Sequence, residues 1–122
     1  PVMAHPAMLG VFEAHPDHGI AADVVFGTLM RMIGADLVVF PSWGGRFPLT
    51  REVNARIDRA CKADLEGLAG AFPVPAGGLT LSRVAEMRTV FGTDVGFLIG
   101  SSLYERSEDL TANAEHFRTL VS

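Results

Sequence analysis

Four places in the chain bring together residue types that can do chemistry. His5 stands before Pro6, and an imidazole can carry a proton or donate a hydrogen bond near neutral pH. The stretch Phe40-Pro41-Ser42-Trp43-Gly44-Gly45-Arg46-Phe47 sets one arginine beside two glycines. Arg46 offers a planar fork of donors suited to a carboxylate or phosphate. Gly44-Gly45 lets backbone approach a ligand or swing as a hinge. Gly77-Gly78 and Gly100-Ser101 are small enough to present backbone N–H groups to an anion. Each place has a plainer reading: a structural histidine, a solvated arginine on a surface loop, tight turns that happen to use glycine. His15, Asp17 and His18 raise the thought of a metal pair, but no third ligand stands at helical spacing, so no metal ligand is assigned in this chain.

These residues need elements to hold them. Short apolar runs predict strands at 1–4, 37–40, 71–74 and 95–99. Helical periodicity predicts helices at about 20–33, 50–68, 82–91 and 107–121. Their expected buried stripes are Val25, Leu29 and Met32; Val53, Ile57, Ala60 with Cys61, Leu65 and Leu68; Val84, Met87 and Phe91; and Leu110, Ala114, Phe117 and Val121. Thr50 is a good N-cap, while Gly34 and Gly92 are placed to end helices. Residues 7–19 read as a long loop or a short turn of helix. Trp43 and Phe47 either wall off a ligand or pin the loop to its rim.

The result is strand, loop, helix, four times over, with strand ends near residues 5, 40, 75 and 100. Repeated βα units imply a parallel sheet, with ligands gathering at the carboxyl ends of its strands. Two architectures fit: a small open doubly wound sheet, or half of a (β/α)8 TIM barrel. In such barrels the loops after the last two strands commonly hold phosphate, the places that Gly77-Gly78 and Gly100-Ser101 would occupy.

Bulk properties narrow the field. The 122 residues, 48% of them hydrophobic, supply one domain, 1–122, with material for a core. A net charge of −4 argues against nucleic acid as the main partner. No apolar run approaches the roughly 18 residues that cross a membrane, and no signal-peptide pattern is visible. The single Cys61 has no partner for a disulfide, so a reduced, cytoplasmic setting is expected. The chain opens on Pro1 without an initiator Met and reads as a piece of something longer.

A series of short motifs carries a resemblance. His5-Pro6-Ala7-Met8, His18-Gly19-Ile20, Gly34-Ala35-Asp36 with Arg46 ten residues on, Phe72-Pro73-Val74-Pro75-Ala76-Gly77-Gly78, then Phe91-Gly92-Thr93-Asp94 and Gly100 resemble, in order and spacing, the C-terminal barrel half of the RuBisCO large-chain superfamily. The resemblance implies four consecutive βα units, the fifth to eighth of a (β/α)8 barrel. It implies that His5 lies beside an enolate-forming centre, that Arg46 is a loop cation over a carboxylate, and that Gly77, Gly78, Gly100 and Ser101 hold a substrate phosphate.

Departures from the family refine it. Carboxylases have arginine after the histidine where this chain has Pro6, lysine in place of Arg46, histidine in place of Val39 and serine in place of Ala76. The chain therefore resembles the non-carboxylating RuBisCO-like proteins (form IV). The loop is most similar to members linked to phosphorylated sugar acids, which implies enolisation with decarboxylation or carboxyl transfer on a 3-oxo acid phosphate. The alternative within the family is the methionine-salvage enolase acting on a diketo-methylthiopentyl phosphate. The resemblance further implies Mg2+, held by a carbamylated lysine and two acids outside this chain, a homodimer, and a chain inactive alone. Outside the family stand a half-barrel remnant and a flavodoxin-like binding module. The latter should carry acids where His5-Pro6 stands and a lysine near Gly100-Ser101.

Overall fold

The computed structural model describes residues 1–13, 15 and 17–122; Ala14 and Pro16, inside the expected 7–19 loop, lie outside them. Three strands, β1 (Met3–Ala4), β2 (Leu37–Pro41) and β3 (Phe72–Ala76), form one parallel sheet in the order β1-β2-β3. Leu37 stands opposite both Met3 and Phe72. Side chains alternate across a strand, so β2 feeds two clusters. Val38 and Phe40 join Phe26, Ile57, Met87 and Phe91 under the helices. Val39 joins Val74 and Ala76 on the other face. Strand neighbours follow chain order without the reversal that a doubly wound sheet requires.

The expected fourth strand does not form as a ladder, and the four-unit half barrel is to that extent corrected to a three-stranded sheet with helices. The reason lies in β3. Residues 72, 74 and 76 face β2, as the Phe72 N–H to Asp36 carbonyl bond (2.8 Å) shows. Pro73 and Pro75 therefore face the other way. Segment 95–99 lies there and donates Gly96 N–H to the Pro73 carbonyl (3.0 Å) and Leu98 N–H to the Pro75 carbonyl (3.3 Å). Neither proline has an N–H to return, so the pairing runs in one direction only. β3 also continues through Pro75 to Ala76, where the sequence suggested a break.

The helices differ from expectation in their faces more than in their existence. α1 (Gly10–Glu13) is a single turn inside the 7–19 loop. α2 opens as a π-helical stretch (Asp23–Leu29) and continues in α form (Met30–Met32). The wider turn re-aims its side chains. Val25 is buried as expected, but Leu29 and Met32 are exposed, and Ala22, Phe26 and Arg31 are buried instead. Gly27 lies so close to Ala60 that a Cβ there would meet the Ala60 side chain and backbone. Arg31 donates to the carbonyls of Ala60 (2.8 Å), Leu68 (3.2 Å) and Ala69 (3.2 Å).

α3 (Arg51–Lys62) begins at the Thr50 cap, whose hydroxyl accepts from Val53 N–H at 3.2 Å. It stops six residues before the expected end, because Ala63 turns extended and Gly67 takes a positive φ of 76°. A 3-10 turn (Leu81–Arg83) leads into α4 (Val84–Phe91), whose Val84, Met87 and Phe91 are buried as the periodicity requires. α5 (Ser101–Glu105) was not visible in the pattern. α6 (Leu110–Val121) starts at the Asp109 cap. Its expected stripe is not a core face: Leu110 and Ala114 are exposed, and Asn113 is its buried residue. Among the described residues no helix is long and apolar enough to cross a membrane.

Candidate functional site

A cleft of about 600 Å³ opens at the carboxyl ends of the strands. His5 enters it directly after β1, Arg46 from the loop after β2, Gly77 and Gly78 after β3, and Gly100 with Ser101 at the start of α5. Four separate stretches of sequence thus converge on one cavity. Apolar side chains line the same cleft, with Met8, Leu9, Phe26, Phe47, Leu79 and Leu98 among them. Met8 holds a positive φ of 60°, an uncommon conformation outside glycine.

The loop after β2 is strapped to the turn after β3. Arg46 N–H donates to the Gly77 carbonyl at 2.9 Å. A Cβ on Gly45 would run into that same carbonyl, and a Cβ on Gly77 would lie 3.2 Å from the Phe47 ring. Gly77 and Gly78 have positive φ values of 81° and 99°, which side-chain-bearing residues rarely adopt. Here glycine is required both for the turn and for the close approach of two loops.

Behind the cleft, four side chains fix the base of that loop. Asn54 of α3, fully buried, accepts from Trp43 N–H (3.2 Å) and donates to the Pro41 carbonyl (3.3 Å). The Trp43 indole N–H donates to Glu86 Oε1 (3.3 Å). Arg83 donates Nε–H to Glu86 Oε2 (3.3 Å) and Nη1–H to the Trp43 carbonyl (2.6 Å). Trp43 is buried against Phe91, centroids 5.7 Å apart, so it pins the loop rather than facing the cleft. Sequence reasoning missed Asn54, Arg83 and Glu86. A signal existed for Asn54: it stands three residues before Ile57, a polar residue on a core stripe.

The cleft's electrostatics favour an anion. Arg46 is exposed and pairs with no carboxylate among the described residues, and the N–H groups of Gly77, Gly78, Gly100 and Ser101 donate to none of them. Cation and free N–H groups can bind an anion, and His5 can move a proton beside it. The same lining does not suit Mg2+. It contains no carboxylate and His5 as its one imidazole, whereas Mg2+ takes an octahedral shell of oxygens. His15 and His18 stack, ring centroids 4.1 Å apart, away from this cleft. Among the described residues no group of three or more His, Cys, Asp or Glu could hold a metal.

No protein-family model matches the chain. Individual proteins do. The chain is 41% identical to the 5-methylthioribulose-1-phosphate isomerase of Rhodospirillum rubrum over 119 residues, 98% of this chain and 30% of that protein. It is 35% identical to the 2,3-diketo-5-methylthiopentyl-1-phosphate enolase of Geobacillus kaustophilus over 121 residues, 99% of this chain and 29% of that protein. Among solved structures it superposes on the RuBisCO-like protein (MtnW) of Alicyclobacillus acidocaldarius with a TM-score of 0.88 at 31% identity, covering 99% of this chain and 31% of that one. The chain spans about 30% of the length of the relatives it matches.

Proposed function

With RuBisCO-like proteins as its homologues and structural neighbours, the chain stands in the RuBisCO large-chain superfamily, and we propose that it supplies the phosphate-binding side of an enolising site. The substrate is a phosphorylated ketone with an apolar tail, of the methylthio-ketose phosphate kind that its relatives' names carry. One observation carries the choice: the cleft that holds Arg46 and the Gly77-Gly78 and Gly100-Ser101 amides is also lined by Met8, Leu9, Phe26, Phe47, Leu79 and Leu98. A phosphate suits the cation and amides, and a methylthio group suits the apolar side chains. A sugar acid has no apolar end for those side chains.

In this reading the phosphate binds to the glycine amides. Arg46 holds the oxygen-rich end of the substrate, and His5 carries a proton to or from the enolate. Mg2+, if the reaction uses it, is held by residues outside this chain. A second reading, decarboxylation or carboxyl transfer on a 3-oxo acid phosphate, draws on Arg46, a cation with no carboxylate partner among the described residues and so free for a substrate carboxylate.

The test uses the full-length protein with Mg2+ in D2O, offered 5-methylthioribulose 1-phosphate, 2,3-diketo-5-methylthiopentyl 1-phosphate and a 3-oxo acid phosphate. Deuterium entering beside the carbonyl of either methylthio compound, reduced at least tenfold by His5→Ala, is the expected result. Carbon dioxide released from the oxo acid alone would favour the second reading, and neither exchange nor carbon dioxide release with any of the three would overturn both.

A further inference from the structure

The Trp43, Arg83 and Glu86 side chains close a ring that neither proposed reaction uses. Trp43 Nε1–H donates to one carboxylate oxygen of Glu86 and Arg83 Nε–H to the other, while Arg83 Nη1–H returns to the Trp43 carbonyl. Arg83 also lies over the Trp43 ring, 5.3 Å from its centroid. The guanidinium fills the space that a side chain on Gly44 would need: a Cβ there would lie 2.8 Å from Arg83 Nη1. Arg46 follows two residues later and is tied at its own N–H to Gly77.

The two glycines that look like a hinge are therefore clamped from both sides, Gly44 by Arg83 and Gly45 by Gly77. We infer that the Trp43–Glu86–Arg83 ring is a latch that holds the Arg46 loop in its ligand-facing position before any ligand arrives, so that Glu86 and Arg83 are positioning residues for Arg46. That Arg46 meets substrate rests on the function proposed above; the latch itself does not.

The ring is geometric in purpose. The Glu86 side chain is half exposed, and an exposed ion pair adds little to stability. Preorganisation is where such a contact matters: a loop already in place spares the ordering cost when ligand binds. A bidentate carboxylate between an indole N–H and a guanidinium fixes direction as well as distance.

Two readouts on the full-length protein separate latch from function. Label it with 5-fluorotryptophan, assign the Trp43 resonance by Trp43→Phe, and compare wild type, Glu86→Ala, Glu86→Gln and Arg83→Met. The latch requires a single sharp Trp43 line in wild type without ligand, shifted and broadened in Glu86→Ala and Arg83→Met. Glu86→Gln keeps one oxygen for the indole and should fall between. Two exchanging Trp43 states in the wild type, or an unchanged line in Glu86→Ala, would overturn the inference whatever the enzyme does.

The second readout is kinetic, on whichever substrate the protein turns over. Glu86→Ala should raise KM about five- to thirtyfold, with kcat changed less than threefold. In an Arg46→Ala background the same substitution should add less than twofold. A full additional effect there would mean that Glu86 acts elsewhere than through Arg46. If Arg46→Ala is itself silent, the assigned role of Arg46 fails while the fluorine spectra still decide the latch.

Discussion

Arg46 and Gly77, thirty-one positions apart in the chain, meet through a backbone hydrogen bond of 2.9 Å. The bond joins the loop after β2 to the turn after β3, and the missing side chain of Gly45 makes it possible. Gly45 has no positive φ, so its requirement is for space and not for conformation. Gly45→Ala should push the two loops apart at a cost of about 1–3 kcal/mol. Thermal denaturation checks the stability, and a KM rise larger than that of a surface Gly→Ala control checks the loop.

Asn54 joins two backbone groups, Trp43 N–H and the Pro41 carbonyl, at the exit of β2. Asn54→Ala leaves both unpartnered in a buried place, at about 1–3 kcal/mol for each group left unsatisfied. Asn54→Asp retains the acceptor for Trp43 N–H and loses the donor to Pro41. At pH 7 the Asp variant should be the less stable of the pair in chemical denaturation, because its carboxylate is buried against the Pro41 carbonyl. The deficit should shrink at low pH, where a protonated carboxyl can donate to that carbonyl.

The one-sided pairing of β3 with segment 95–99 can be completed by substitution. Pro75→Val supplies an N–H facing the Gly96 carbonyl, the return bond of a parallel ladder. The gain of about 1 kcal/mol for a hydrogen bond is offset by about 0.4–1 kcal/mol for the freer unfolded chain. Stability should then change by less than about 1 kcal/mol, while the new amide at position 75 becomes protected from hydrogen exchange. Rapid exchange there would mean that the proline is not what leaves the ladder open.

Cys61 is fully buried. Burial, then the neighbouring Asp58 charge, pushes its thiol up from an ordinary 9.0 to about 11. The folded state therefore keeps the proton that the unfolded state releases. Its stabilising contribution is complete below pH 9.0, declines as pH rises, and is gone above about 11. Cys61→Ser should flatten the alkaline limb of the stability curve. At pH 8 the native thiol should react with an aromatic disulfide reagent only as fast as the protein opens, since the thiolate is the nucleophile.

The sequence places His5, Arg46, Gly77-Gly78 and Gly100-Ser101 at strand ends, and the structure brings these stretches to one cleft. His5 before a proline, glycine pairs at 77–78 and a lone arginine after an apolar strand all mark places where chain direction changes next to a sheet. Strand position and parallel order follow from β-branched runs separated by helical periods, and the α4 stripe of Val84, Met87 and Phe91 is a direct reading of a regular 3.6-residue turn.

What the sequence alone determined is local: which segments extend, which coil, where Thr50 caps, and which small or charged residues sit at strand ends. Tertiary structure decided what depends on another segment's position. α2 is π-helical where Gly27 packs on Ala60, and Leu29 and Met32 lie outside the core that period 3.6 assigned them. The ladder stopped at three strands because Pro73 and Pro75 point toward segment 95–99 rather than toward β2, a matter of register. The latch of Trp43, Arg83 and Glu86 joins residues about forty positions apart. A hydrogen bond between such residues leaves no periodic trace, because its geometry exists only once β2, α3 and α4 have packed together.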